Sequence, residues 1–449
     1  MTQQTTAVRP DPAWPDLARV PSGARARLLA PGARLLFERV VRRLGISAGP
    51  YAGADLVLHR PEEFYTRLGA DGLIGFGEAY LTGAWEADDL AGVLTTMCRR
   101  MDTLVPAWLQ RLRTAYVARP PRTERNSEAN TRDNIAHHYD LSNDLFATFL
   151  DPTLSYSSAL FDASIEDHGD HQVAGPPRPG MPLEEAQVRK VERILDEARV
   201  GPGTRLLEIG TGWGDLAVRA AARGATVRSV TLSSEQLELA RARVESAGFA
   251  DRVEIELLDY RAVSTGSTTE AGSTTQAGST TQGGSTTEGG STTEGYDAIV
   301  SVEMVEAVGH QYWPTYFAKL DELLAPGGTA VVQAITMPHQ RMLATRGTWT
   351  WINKYVFPGG FLPSVEAIEQ TTREHTSLRV SRRLSFGSHY AETLRRWDAT
   401  FRAATDDVLA LGFDGTFLRM WHFYLEYSRA GFTAGYLDVN QLTLTRETP

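Results

Sequence analysis

The densest chemical signal in the chain is the string Leu206-Leu207-Glu208-Ile209-Gly210-Thr211-Gly212-Trp213-Gly214-Asp215. An apolar run closing on an acid and then on alternate glycines reads as a strand turning into a helix. Bare backbone at such a turn lets a ligand approach where any Cβ would clash. Glu208, at the strand end, can meet a positively charged ligand group. The third glycine falls one position early for the dinucleotide pattern G-x-G-x-x-G. The next strand closes as Ser229-Val230-Thr231-Leu232-Ser233-Ser234-Glu235-Gln236, with no acid on it to grip a ribose.

The elements that must position this turn follow from periodicity. Strands are predicted over 204–209, 226–232, 253–258, 298–302 and 329–334, with helices over 215–223 and 234–246. Strands alternating with helices of this length predict an α/β fold with a doubly wound, mostly parallel sheet, whose ligands sit beyond the carboxyl ends of the strands. Residues 1–125 read as a mainly helical N-terminal domain. Helical spacing runs over 33–41 and 104–116, and Asp88 or Asp89 can cap a helix between them. Pro120-Pro121 marks the boundary, leaving 126–449 as the second domain. Two segments fall outside the core pattern: a Pro/Gly loop at 166–182 and a Gly/Ser/Thr hexapeptide repeat at 264–295, both predicted to be disordered. The repeat has no apolar face to offset the entropy of ordering. His168, Asp170 and His171 sit in the first of these, where a solvated loop is the simpler reading than a metal site.

Bulk properties narrow the class. The chain has 449 residues, a net charge of −10 and a single cysteine, Cys98, so neither an intramolecular disulfide nor a Cys-rich zinc site is available. An acidic chain argues against nucleic acid as a partner. The first 125 residues are mildly basic, compatible with an anionic membrane surface. No apolar run approaches the length of a membrane span, and the N-terminus lacks a signal-peptide pattern, so a cytoplasmic protein is expected. The helix predicted at 104–116 could dock on a bilayer, pack against a second subunit in a homodimer, or fill a core.

The glycine turn resembles motif I of Rossmann-like S-adenosylmethionine methyltransferases. A longer set of strings stands in order along the chain: NIAHHYDLSNDLFATFLDPTLSYSSALF (134–161), LLEIGTGWGDLA (206–217), VTLSSEQLELA (230–240), DYR (259–261), IVSVEMVEAVGH (299–310), WINKYVFPGGFLPS (351–364), FGSHYAETLRRW (386–397) and LRMWHFYLEY (418–427). Together they resemble the cyclopropane-fatty-acid synthase and mycolic-acid methyltransferase family. The resemblance implies that Tyr139, Tyr156, Ser157, Glu208, Gly210, Gly212, Gly214, Asp259 and Tyr260 line the site of S-adenosylmethionine. Thr231 and Gln236 match the ribose and adenosine contacts that replace the missing acid.

The resemblance also implies the reaction. Methyl transfer to an isolated alkene leaves a carbocation, which needs a dry, aromatic pocket and a base to take a proton. Trp349, Trp351, Tyr355, Phe357, Phe361, Tyr390 and Trp397 are candidate core or acyl-tunnel aromatics. In the family the base is a bicarbonate ion held by a cysteine segment, a glutamate, a histidine and a tyrosine. Glu306 and Tyr390 match the glutamate and tyrosine, whereas Ser158 stands for the cysteine and Gln333 for the histidine. Glutamine carries no positive charge, so bicarbonate should bind more weakly or the base should lie elsewhere. The expected outcome is an exocyclic methylene, as in the actinobacterial branch that makes 10-methylene-stearoyl lipids from oleoyl phospholipids at the inner membrane face, with a reductase partner saturating the product. A cyclopropane ring on the same substrate is the alternative. A small-molecule N- or O-methyltransferase and a non-catalytic lipid-binding relic are the rival classes.

Overall fold

In the computed structural model, which describes residues 14–100, 142–265 and 295–447, the predicted alternation of strands and helices becomes one large sheet flanked by helices. A small sheet near the start contains β1 (Ala48–Gly49), β2 (Leu56–Leu58) and β3 (Trp85–Glu86). The large sheet contains β4 (Ile165–Asp167), β5 (His171–Ala174), β6 (Arg205–Ile209), β7 (Thr226–Thr231), β8 (Val253–Leu257), β9 (Tyr296–Val302), β10 (Leu324–Thr336), β11 (Leu378–Ser385) and β12 (Asp438–Arg446). Its order is β4-β5-β11-β12-β10-β9-β6-β7-β8. Strands β10, β9, β6, β7 and β8 are parallel, and β12 runs antiparallel between β10 and β11.

Buried, near-continuous apolar runs such as Leu206–Leu207 and Ile299–Val300 suit strands covered on both faces. From β6 the chain winds outward to β7 and β8, and then returns to lay β9 on the other side of β6. That reversal opens a crevice at the carboxyl ends of β6 and β9. The glycine turn follows β6, and IVSVEMVEAVGH forms β9 and its exit.

All five predicted strands and both helices are present, the second helix at Ser234–Ser246. Asp89 caps the helix Leu90–Arg99 by accepting from the Gly92 amide at 2.9 Å. The helix Ala24–Leu44 contains the segment 33–41. The predicted helix at 104–116 and nearly all of the 264–295 repeat lie outside the described residues.

One expectation is corrected. The segment 166–182 contains an ordered hairpin: β4 pairs antiparallel with β5, which extends the sheet along β11. Asp167 closes its turn by accepting from the Gly169 amide (2.8 Å) and Gln172 Nε2 (3.1 Å), so backbone pairing overrides a loop-like composition. Residues 14–100, for their part, pack against the rest of the chain. Phe76, Trp85 and Phe64 share one buried cluster with Phe146, Trp351, Trp397, Trp421 and Phe423. The buried Glu78 carboxylate accepts from Lys354 Nζ (2.7 Å) and Tyr355 Oη (2.9 Å) of the INKY string, tying the two parts with polar bonds as well.

Candidate active site

The glycine turn takes a shape that demands glycine. Gly210 has φ +96°, and a Cβ there would fall 2.7 Å from Met304 Cγ. Gly212 has φ +52° and meets no protein atom within 4 Å of its would-be Cβ, so the backbone presents open space. Trp213 Nε1 donates to Asn143 Oδ1 at 2.7 Å, and Asn143 Nδ2 donates to the Glu235 carbonyl at 3.2 Å. The LSNDLF string thereby fastens the turn to the helix that follows β7.

The other expected cofactor residues make the following contacts. Thr231 and Gln236 are both buried and meet, Thr231 Oγ1 donating to Gln236 Oε1 at 3.4 Å. Glu208 is buried and accepts from Ser229 Oγ at 2.6 Å; burial pushes its carboxyl up to about 8. Tyr156 stacks on Trp397 at 5.3 Å and its hydroxyl bonds that of Tyr424 at 2.8 Å. Ser157 Oγ accepts from the buried Lys190 Nζ at 2.9 Å. Asp259 and Tyr260 follow β8, Asp259 accepting from the Arg261 amide at 2.9 Å and Tyr260 packing edge-on against Tyr316. Tyr139 lies outside the described residues.

The expected catalytic residues converge, but on a carboxylate that the sequence reading passed over. Glu303, the residue after β9, is partly buried. Its Oε1 accepts from the Ser158 amide at 3.0 Å and from Gln333 Nε2 at 2.8 Å; its Oε2 accepts from Tyr390 Oη at 3.0 Å. The orientation of Gln333 is set from behind. Its Oε1 accepts from Gln441 Nε2 (3.1 Å), and Gln441 Oε1 accepts from Arg193 (2.6 Å). That relay leaves the Gln333 amide nitrogen for Glu303. Glu303 holds φ +52°, a left-handed backbone rare outside glycine. Strain of this kind persists where surrounding contacts over-determine it.

Glu306, one short turn on, is treated differently. Its Oε1 accepts from the Ile335 amide, while its Oε2 is buried without a hydrogen-bond partner. Burial, and then the charge of Glu303, push Glu306 up to about 8. Burial also raises Glu303, but the Ser158 and Gln333 hydrogen bonds, the Lys190 charge and the Tyr390 bond oppose the rise. Three donors thus favour the ionised form of Glu303, whereas Glu306, with one amide bond and a bare oxygen, is held towards its neutral form. The signal in sequence was two acids spaced i, i+3 at a strand exit, which place both carboxyls on one turn.

The residues fit S-adenosylmethionine: the backbone at Gly212 leaves room, and Thr231 with Gln236 offers buried polar contacts without an acid. They do not fit bicarbonate in the manner expected. Ser158, Gln333 and Tyr390 already direct their donors to the Glu303 carboxylate, and a second anion beside it would find none of them free.

Strand order, glycine turn and crevice define a class I S-adenosylmethionine-dependent methyltransferase. The sequence model for mycolic acid cyclopropane synthetase matches residues 126–271 and 290–442, and the chain belongs to that family. It is 48% identical over 97% of its length to the tuberculostearic acid methyltransferase UfaA1 of Mycobacterium tuberculosis, covering 96% of that protein. It is 30% identical to the cyclopropane-fatty-acyl-phospholipid synthase of Escherichia coli, covering 91% of this chain and 92% of that one. Among solved structures, the cyclopropane synthase MmaA2 of Mycobacterium tuberculosis superposes with a TM-score of 0.56 at 28% identity, covering 70% of this chain and 97% of that one. The cyclopropane synthase CmaA1 complexed with SAH and CTAB gives the same values.

Proposed function

We propose that this enzyme adds the methyl group of S-adenosylmethionine to the double bond of an unsaturated phospholipid acyl chain, turning oleoyl into 10-methylene-stearoyl. The reading is carried by the 48% identity to a protein named as a tuberculostearic acid methyltransferase. S-adenosylmethionine, when bound, supplies an electrophilic methyl group. The side chains of the chain itself do the rest. Tyr390 packs against Phe432 (4.7 Å) and Trp397 (6.0 Å), and this aromatic wall suits a cation formed in the acyl chain. Ser158, Gln333 and Glu306 are all buried, which keeps out the water that would trap such a cation. Bicarbonate has no part in this reading.

Membrane contact is supported by the helix Ala24–Leu44, which exposes Leu28 and Leu35 alongside Arg39, Arg42 and Arg43. That combination suits the surface of an anionic bilayer. Among the described residues no helix is long and apolar enough to cross a membrane. A separate reductase would saturate the methylene group.

The second reading, a cyclopropane synthase on the same substrate, is favoured by the Escherichia coli relative. Incubating the enzyme with labelled methyl donor and oleoyl-phospholipid vesicles separates the two. The expected product carries an exocyclic methylene, visible by NMR and removed by hydrogenation. A ring as sole product selects the second reading, and an unmodified lipid overturns both.

A further inference from the structure

We infer that Glu303 is the general base of this reaction, an internal carboxylate seated where the family's anion was expected; the inference rests on the methyl-transfer reading above. Three observations carry it. The carboxylate is the convergence point of three donors from separate parts of the fold, the Ser158 amide, the Gln333 amide group on β10 and the Tyr390 hydroxyl. Each of these donors stands at a position where a bound anion was anticipated. The backbone holds this side chain at φ +52° rather than relaxing, as a residue with a task at a fixed point would require.

The hydrogen-bond inventory names the atom. A carboxylate oxygen accepts about two hydrogen bonds. Oε1 takes both of its donors from Ser158 and Gln333, whereas Oε2 takes one from Tyr390 and keeps a second lone pair. Burial also raises Tyr390 well above its ordinary value, so it remains a donor and does not compete for the proton. Beside it, Oε2 of Glu306 is buried without a hydrogen-bond partner.

The step balances without a further reactant. After methyl addition at one alkene carbon, the cation sits on the other. A hydride shift with its electron pair moves the cation to the methyl-bearing carbon. One C–H bond of the added methyl then breaks, its pair becomes the exocyclic C=C bond, and the proton bonds to Glu303 Oε2. The cation is discharged, Glu303 becomes neutral, and loss of its proton restores the resting enzyme. An immobile base beside one flank of the cation favours removal of that proton over ring closure.

The test uses the full-length enzyme, labelled S-adenosylmethionine and oleoyl-phosphatidylglycerol vesicles. Glu303→Gln keeps size but not basicity, and turnover is expected to fall by ~10²- to 10⁴-fold, with calorimetric affinity for the methyl donor retained. Wild-type turnover is expected to persist after bicarbonate is stripped from the buffer. Glu303→Gly suits the left-handed backbone and frees the three donors, so added bicarbonate or formate should restore turnover to it, which a merely structural role would not allow. Wild-type rates from Glu303→Gln, loss of wild-type activity on bicarbonate removal, or a donor-binding Glu303→Gly that neither anion rescues would each overturn the assignment. Should Glu303→Gln fail to bind the donor, the glycine variant decides alone. A wild-type enzyme that binds the donor yet modifies no lipid defeats the functional reading, and the base assignment with it. One that methylates lipid while Glu303→Gln keeps pace defeats the base assignment only.

Discussion

Glu303 and Glu306 stand three residues apart, yet the fold surrounds one carboxyl with donors and leaves an oxygen of the other bare. Two acids this close cannot both ionise cheaply, so environment divides the roles between them. The donors around Glu303 favour a negative charge there, and the bare oxygen of Glu306 favours a neutral acid beside it.

That division predicts a pH profile. Turnover should need Glu303 ionised and Glu306 neutral. On the acid side activity falls as Glu303 takes a proton, at a pH above the ordinary carboxylate range because burial raises it. On the alkaline side activity falls through about 8 as Glu306 ionises. The neighbouring tyrosines, Tyr390 and Tyr316, do not share this limb, because burial raises both far above it. Glu306→Gln can still accept the Ile335 amide, so it should retain turnover and lose the alkaline limb. Measuring kcat from about pH 6 to about pH 9.5 in both proteins checks this. An unchanged limb in the variant would point to another group.

The glycine turn yields a paired prediction. Gly210→Ala and Gly212→Ala each force a side chain into left-handed backbone, at about 1–2 kcal/mol. At Gly210 the new methyl also meets Met304 at 2.7 Å, so stability should fall further. At Gly212 the protein leaves the space open, so the methyl intrudes on the ligand instead. Gly212→Ala should therefore weaken donor binding by at least ~10-fold, about 1.4 kcal/mol, beyond its modest cost in stability. Urea unfolding with calorimetric titration separates the two effects. Equal donor affinities in both variants would remove the turn from the cofactor site.

How much of this was legible in the chain follows from which physics each feature uses. Strands β6 to β10 and the helices after β6 and β7 announce themselves by local periodicity and by the glycine turn. The hairpin of β4 and β5 does not, since its order comes from pairing with β11, some two hundred residues away in sequence. Thr231 and Gln236 were readable through family strings, and so were Ser158, Gln333 and Tyr390. Their meeting point was not. Glu303 lay in a quoted string beside Glu306, but only three-dimensional convergence distinguishes the acid that three donors surround from its neighbour. The relay from Arg193 through Gln441 that orients Gln333 likewise joins helix to sheet across the fold.

The shared core makes a final prediction. Trp85 is fully buried, donates from Nε1 to the Phe76 carbonyl at 2.9 Å, and lies edge-on to Phe423 of the helix Gly415–Thr433. That same helix carries Tyr424, whose hydroxyl bonds Tyr156, one of the residues expected to contact the cofactor. Trp85→Ala should cost about 3–5 kcal/mol, and the loss should reach the site because no packing boundary intervenes. Thermal unfolding followed by tryptophan fluorescence and by donor binding should show coincident transitions, both lowered in the variant. Two separated transitions, with the donor-binding one unmoved by Trp85→Ala, would mark the N-terminal segment as a domain of its own.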